Sequence, residues 1–300
     1  MRILVLGGEG MLGHKMFQTL SERYPDTFCS IRGKLDDAFY RDISLFTAGA
    51  AIPETDIMDW PAVSGQLRES RPDYVVNCIG IVKQRAAAHE AIPSITINSL
   101  LPHQLAHLLE EWGGRLIHFS TDCVFDGHTG SYTETSPSNA EDLYGRSKYL
   151  GEVAYPNALT LRTSIIGREL AEFKSLLEWF LRNGGGKVKG YRRVIYAGVT
   201  TNYMAQLVAN LITDHPTLAG LYQVTSPPID KYDLLCRLKE AYKLDLEIEP
   251  DDDMVSDRSM IGDKFLAATG YSLPEWSGLI DQLVGDPTPY DAWRGSSDVK

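Results

Sequence analysis

Tyr144 and Lys148 stand four residues apart in the run Tyr144-Gly145-Arg146-Ser147-Lys148. On a helix their side chains leave from one face. A phenol with its ordinary pKa of about 10 is a poor acid at neutral pH, and a neighbouring ammonium lowers that value by stabilising phenolate. Upstream, the segment FSTDCVFDG places the hydroxyls of Ser120 and Thr121 at the end of the apolar run 116–119. Such a hydroxyl would complete a three-point grip on a carbonyl oxygen, with Tyr144 as the acid. A bare Tyr-x-x-x-Lys spacing also arises by chance on exposed helical faces. Its weight here comes from the strand-end hydroxyls and from a nucleotide loop at the start of the chain.

That loop follows a short apolar run, residues 2–6, and reads Gly7-Gly8-Glu9-Gly10-Met11-Leu12-Gly13, with a helical stretch to about residue 24. Strand, glycine turn and helix in this order predict a dinucleotide-binding unit. The glycines let backbone approach a pyrophosphate, whose charge sits at the helix N-terminus. A second strand, 27–31, ends in Arg32 rather than in an acid. Arginine there accommodates a 2′-phosphate, whereas an acid would take the ribose hydroxyls. NADPH is the expected coenzyme, with NADH as the alternative. Asp56 and Ile57 are placed to meet the adenine, ahead of a helix over 61–70.

Residues 73–80 read as a buried parallel strand that leaves through Cys78, Ile79 and Gly80. Ligands in such sheets bind outside the carboxyl ends of the strands, so Lys83 in the following loop is a substrate-contact candidate. A long helix, 93–112, contains Asn98. A strand over 115–119, a polar loop over 130–142 and a strand over 158–166 complete a regular alternation of strand and helix. The fold class is α/β, a Rossmann-like doubly wound parallel sheet with a smaller C-terminal substrate-binding domain. Residues 1–167 form the coenzyme domain, with a segment near 195–225 returning to it. Residues 168–194 and 226–300 form the substrate domain.

Three hundred residues with 43% apolar and 23% charged content describe an ordinary globular chain. A net charge of −11 and a pI near 5.1 argue against nucleic-acid and membrane-surface partners. An anionic ligand must be held by local cations. The basic run 187–193, with Arg192 and Arg193, is one such cluster or else a solvated hairpin, and Arg258 is another phosphate candidate. The tail after Gly285 reads as extended. Cys29, Cys78, Cys123 and Cys236 are scattered without metal-like spacing, which suits reduced thiols in the cytoplasm. His103 and His107 lack further ligands and read as helix-surface residues, so no metal site is expected. The opening residues are too short an apolar run for a signal peptide, and no stretch approaches a membrane span.

The motifs GGEGMLG, VVNCIG with Asn77, INSLLP with Asn98, FSTDCVFDG, YGRSK and LRTSIIG occur in the order found in extended short-chain dehydrogenase/reductases. The chain most resembles the dTDP-4-dehydrorhamnose reductase branch, and the likeness is more specific up to Gly167 than beyond it. The resemblance implies reduction of the C4 ketone of a nucleotide-linked 4-keto-6-deoxy sugar, and a homodimer is a fair expectation. It implies that Tyr144 protonates the C4 oxygen, that Lys148 holds the nicotinamide ribose and lowers the tyrosine pKa, and that Thr121 bonds the same oxygen with Ser120 beside it. Asn98 would sit beneath the site. Asp122 and Cys123 would line the sugar pocket, and Cys123 replaces the tyrosine usual in that branch.

Three rivals share these motifs. A 4,6-dehydratase needs a Thr-Asp-Glu run, and Cys123 stands in the third position, which counts against dehydration. A 4-epimerase retains NAD through a reversible oxidation, and Arg32 favours exchangeable NADPH instead. A non-catalytic NADP-binding regulatory subunit would be free to lose Tyr144 or Lys148, and both are present.

Overall fold

The computed structural model describes residues 1–47, 50–82 and 90–294. In chain order the first part runs β1 (Ile3–Leu6), α1 (Met11–Arg23), β2 (Thr27–Ser30), α2 (Ala38–Arg41), α3 (Ser44–Thr47), β3 (Ala51–Ile52), α4 (Trp60–Ser70) and β4 (Tyr74–Asn77). Next come α5 (Ala91–Ser94), a π-helical stretch (Ile95–Leu100), α6 (Leu101–Glu110), β5 (Arg115–Thr121), a short 3-10 turn (Asp122–Val124), α7 (Leu143–Leu150), β6 (Ala158–Thr163) and β7 (Ile165–Ile166). The last part runs α8 (Leu176–Arg182), β8 (Lys187–Tyr191), β9 (Val194–Tyr196), β10 (Val199–Thr200), α9 (Thr201–Asp214), β11 (Gly220–Gln223), β12 (Ile229–Asp230), α10 (Lys231–Tyr242), β13 (Glu247–Asp251) and β14 (Ser256–Asp257). Three helices follow: α11 (Asp263–Thr269), α12 (Trp276–Val284) and α13 (Tyr290–Arg294).

Seven parallel strands form the central sheet in the order β11-β6-β5-β4-β1-β2-β3. The order reverses between β1 and β4, the switch point at which such sheets bind ligands. Side chains alternate across the pleat. Ile3, Val5, Val76 and Ile117 meet the core built by α1 and α9, while Leu4, Leu6, Val75 and Leu116 meet the core built by α4 and α6. Both faces are covered, which is why β1 reads as an unbroken apolar run.

Beyond β6, β11 returns to the central sheet, and the other strands form smaller sheets together with β7: β12-β9-β14, β13-β8 and β10-β7. The basic run does not fold as a hairpin on itself, and its lysines are not an anion site. β8 pairs with β13, so Lys189 meets Asp251 at 2.7 Å and Lys187 meets Glu247 at 3.4 Å as well as Glu249. The neutralising acids come from a strand about sixty residues downstream, which local composition does not reveal.

The tail after Gly285 also departs from expectation. Instead of an extended arm it forms α13, whose Tyr290 and Trp293 are buried against the α1 side of the sheet. Lys15 on α1 pairs with Asp286 at 2.7 Å, with only 5% and 4% of the two side chains exposed. His14 bonds the carbonyl of Gly10 through Nδ1 at 2.9 Å and the hydroxyl of Tyr290 through Nε2 at 2.9 Å. Burial holds its pKa down to about 4, so the ring is neutral at physiological pH. A carbonyl only accepts, so Nδ1 carries the proton and Nε2 accepts from Tyr290.

Candidate active site

Tyr144 sits in the first turn of α7. Asp142 caps that helix by accepting the Gly145 N–H at 2.7 Å. Gly145 lets the helix lie against the 3-10 turn: a Cβ there would stand 2.2 Å from the carbonyl oxygen of Cys123. This close approach brings the end of β5 to Tyr144. The Thr121 hydroxyl stands close enough to the Tyr144 phenol to pull its pKa down against burial, donates to Asp122 Oδ1 at 3.1 Å and accepts the Cys123 N–H at 3.1 Å.

Ser120 does not join them. Side chains alternate along a strand, so Ser120 leaves β5 on the other side and donates to Glu152 Oε1 at 2.6 Å. Glu152 also holds Arg162 through contacts of 2.7 and 2.6 Å, in a pair that is almost wholly buried. Its expected catalytic place is thereby corrected: Ser120 belongs to a buried polar network behind the site.

Lys148 is buried one turn after Tyr144 and donates to the Phe119 carbonyl at 2.5 Å. Burial lowers its pKa to about 8, against a smaller upward pull from Glu152. Tyr144 was expected to have its pKa lowered by this ammonium. Here burial dominates and pushes the phenol above its ordinary value, with Cys123 adding to the rise and Thr121 opposing it. The phenol is therefore protonated at neutral pH, the state an acid needs.

Asn98 lies in the π-helical stretch, a local widening that often marks functional positions. Its Oδ1 accepts the Ile81 N–H at 2.9 Å, while Nδ2 donates to the Ile81 carbonyl and the Ser147 hydroxyl, each at 3.1 Å. It thus pins the turn after β4 to α7. A Cβ on Gly80 would lie 3.9 Å from Lys148 Nζ and 3.5 Å from Asn98 Oδ1. Ile79 and Cys78 close against Gly7 on the other side. The ends of β1, β4, β5 and α7 therefore converge.

The glycine turn fits a dinucleotide. Gly7 has φ +80°, and a Cβ on Gly13 would collide with the Gly7 oxygen at 1.9 Å, so helix and turn approach as only glycines allow. Gly10 opens α1, and Met11 and Leu12 begin it, with no side chain capping the helix and no acid in its first turn. The positive end of the helix dipole faces outward for an anion. Asp56 caps the Met58 N–H at 2.9 Å, and Ile57 packs on the α4 side of the sheet.

Arg32 is placed at the end of β2 as expected, yet its guanidinium is engaged by Glu9 from within the glycine turn. Glu9 went unassigned in the sequence reading, although its position inside the turn was visible.

Beside Tyr144 lies a charged cluster of Asp122, Arg258 and Lys231. Asp122 has its pKa raised by burial and lowered again by Arg258 and Lys231. Burial pushes the Cys123 thiol up to about 12, with Asp122 raising it further and Arg258 opposing. The Tyr196 phenol is likewise pushed up by burial and feels Asp122 and Cys123. Lys231 and Tyr196 were missed in the sequence because each arrives from a separate distant element, α10 and β9. Arg258 spends two donors on the carbonyls of Phe125 and Asp126, at 2.9 and 3.2 Å. Arg192 and Arg193 are exposed; Arg192 lies over the Tyr232 ring at 5.0 Å, and the Arg193 carbonyl accepts the Ser256 N–H at 3.0 Å. Lys83 lies outside the described residues. Among the described residues no group of three or more His, Cys, Asp and Glu could hold a metal.

A protonated phenol set against an alcohol can hand a proton to a carbonyl oxygen when hydride arrives at the carbon. A doubly wound sheet with this turn is built to bind the dinucleotide that carries hydride. The chain is a nicotinamide-dependent oxidoreductase of the short-chain dehydrogenase/reductase class.

Within that class it belongs to the family described as RmlD substrate binding domain, whose family model matches residues 1–182. It is 30% identical over 236 residues to a Streptomyces antibioticus protein named for dTDP-4,6-dihydroxy-2-methyloxan-3-one 4-ketoreduction, over 75% of this chain and 72% of that one. It is 25% identical over 256 residues to methionine adenosyltransferase 2 subunit beta of Danio rerio, over 81% of this chain and 74% of that one. Among solved structures, dTDP-4-dehydrorhamnose reductase from Bacillus anthracis in complex with NADP has a TM-score of 0.77 at 20% identity, covering 95% of this chain and 99% of that one.

Proposed function

We propose that the chain reduces the C4 ketone of a nucleotide-linked 4-keto-6-deoxy sugar, as a dTDP-4-dehydrorhamnose reductase does, in the supply of deoxysugar and polysaccharide precursors. The observation that carries this reading is the gathering of the Thr121 hydroxyl and the protonated Tyr144 phenol at the carboxyl end of the sheet, with buried Lys148 one turn on. The names of the relatives point to the same chemistry.

A reduced nicotinamide coenzyme, NADPH or NADH, supplies hydride to the ketone carbon. Gly7, Gly10 and Gly13 keep the turn free of side chains, and Met11, Leu12 and Gly13 offer the backbone N–H groups of the helix terminus to the pyrophosphate. Asp56 and Ile57 border the adenine end, and Cys78, Ile79, Gly80 and Asn98 shape the nicotinamide end. Lys148 reaches the nicotinamide ribose. Thr121 orients the ketone oxygen, and Tyr144 gives it a proton as charge develops there. Asp122 and Cys123 line the sugar pocket, and Lys231 joins Arg258, Arg192 and Arg193 as cations for the diphosphate.

The domain division follows from this: residues 1–167 with the returning strand hold the coenzyme, and 168–194 with 226–300 cover the sugar nucleotide. We propose a homodimer joined through exposed Ile92, Ile95, Leu100, Tyr149 and Leu150 on adjoining helices, a state that light scattering measures. All four cysteines are free, which fits a cytoplasmic enzyme. No helix among the described residues is long and apolar enough to cross a membrane.

Purified protein, reduced coenzyme and a 4-keto-6-deoxy sugar nucleotide are expected to oxidise the coenzyme, read by the loss of its near-ultraviolet absorbance. Intact coenzyme binding without turnover across a panel of nucleotide sugars would favour a non-catalytic subunit instead.

A further inference from the structure

The end of β2 carries a cluster that the reaction itself does not use. Glu9 rises from the glycine turn with only 12% of its side chain exposed. Its Oε2 accepts the Arg32 backbone N–H at 2.8 Å and the Tyr40 hydroxyl at 2.8 Å, and its Oε1 takes Nε of Arg32. The Tyr40 oxygen in turn accepts the Gly33 N–H at 3.2 Å. A carboxylate withdrawn from water needs such partners, and three residues, Arg32, Tyr40 and Gly33, are arranged to supply and support them.

In doubly wound dinucleotide sites this strand end meets the adenosine ribose: an acid there receives the 2′-hydroxyl, a cation the 2′-phosphate. Here both stand together. The Arg32 side chain is 66% exposed, leaving its terminal nitrogens outward while Glu9 neutralises it, and Glu172 adds a further negative influence. Lys34, the next cation along, lies 3.8 Å from Glu54. A 2′-phosphate therefore meets little net positive charge, and a 2′-hydroxyl meets a carboxylate able to accept from it.

We propose that Glu9 sets the coenzyme choice of this chain: by pairing with Arg32 it admits NADH beside NADPH, supplying from the glycine turn the acid that β2 lacks. This deepens the reading of the chain as a nicotinamide-dependent reductase and rests on it.

The test is calorimetric binding of NADPH and NADH to the full chain without sugar substrate, for wild type, Glu9→Gln and Arg32→Ala, with folding checked by circular dichroism. The wild-type dissociation constants are expected to lie within about tenfold of each other. Glu9→Gln should move the ratio toward NADPH by about tenfold, and Arg32→Ala should move it toward NADH. An unshifted ratio in folded Glu9→Gln overturns the assignment. If that variant does not fold, a wild-type preference for NADPH beyond about a hundredfold overturns it alone. Failure of wild type to bind either coenzyme removes the reductase reading and this inference with it.

Discussion

Ser120 donates to Glu152 at 2.6 Å, on the far side of β5 from the Thr121 hydroxyl that meets Tyr144. Adjacent alcohols thus have separate duties. Thr121→Val is expected to reduce turnover by about a hundredfold or more, because an orienting donor at the reacting oxygen is lost. Ser120→Ala should leave turnover within a few-fold and lower stability by about 1–3 kcal/mol, since a buried acceptor loses its partner. Steady-state kinetics with denaturant unfolding of both variants separates the two. Equal turnover losses would return Ser120 to the reacting group.

Tyr144→Phe removes the proton donor and little else. Turnover should fall by about 10²–10⁴-fold, while the dissociation constant for NADPH stays within a few-fold. A full-speed variant would remove Tyr144 from the acid's role.

Lys148 gives the site a pH signature in stability. Its folded pKa is about 8 against an ordinary 10.5, lowered by burial. Below pH 8 both the folded and the unfolded chain hold the proton, and the cost of burying the charge is fully present. Between pH 8 and 10.5 the unfolded chain retains the proton that the folded one releases, so this residue's contribution to stability improves with rising pH. Lys148→Met should abolish that rise, which amounts to a few kcal/mol in order of magnitude. Unfolding free energies of wild type and variant, compared across this window, should converge toward its alkaline end; a constant difference would contradict the assignment.

Glu152 binds Arg162 in a nearly dry pair and raises the Lys148 pKa. Glu152→Gln leaves the guanidinium without its counter-charge and should cost about 3–5 kcal/mol. It should also shift the Lys148 titration to lower pH. Thermal unfolding reads the first effect, and the pH window of the Lys148 comparison reads the second.

What the sequence disclosed and what it hid divide along one physical line. Parallel strands buried on both faces write themselves as apolar runs, so β1, β4, β5 and β6 were legible, as were the glycine turn and the Tyr144–Lys148 spacing. Pairings between distant segments left no local trace. β13 covering β8, Lys231 joining Asp122 and Glu9 reaching Arg32 each depend on chain reversals that spacing does not encode. Ser120 differs: alternation along β5 already sets it opposite Thr121, and only its partner Glu152 was hidden.

Because Tyr290 grips His14, and His14 grips the carbonyl of Gly10, the last helix is fastened to the coenzyme cradle through a single imidazole. Trimming the chain before residue 286 would unbuckle that fastening and uncover the flank of α1.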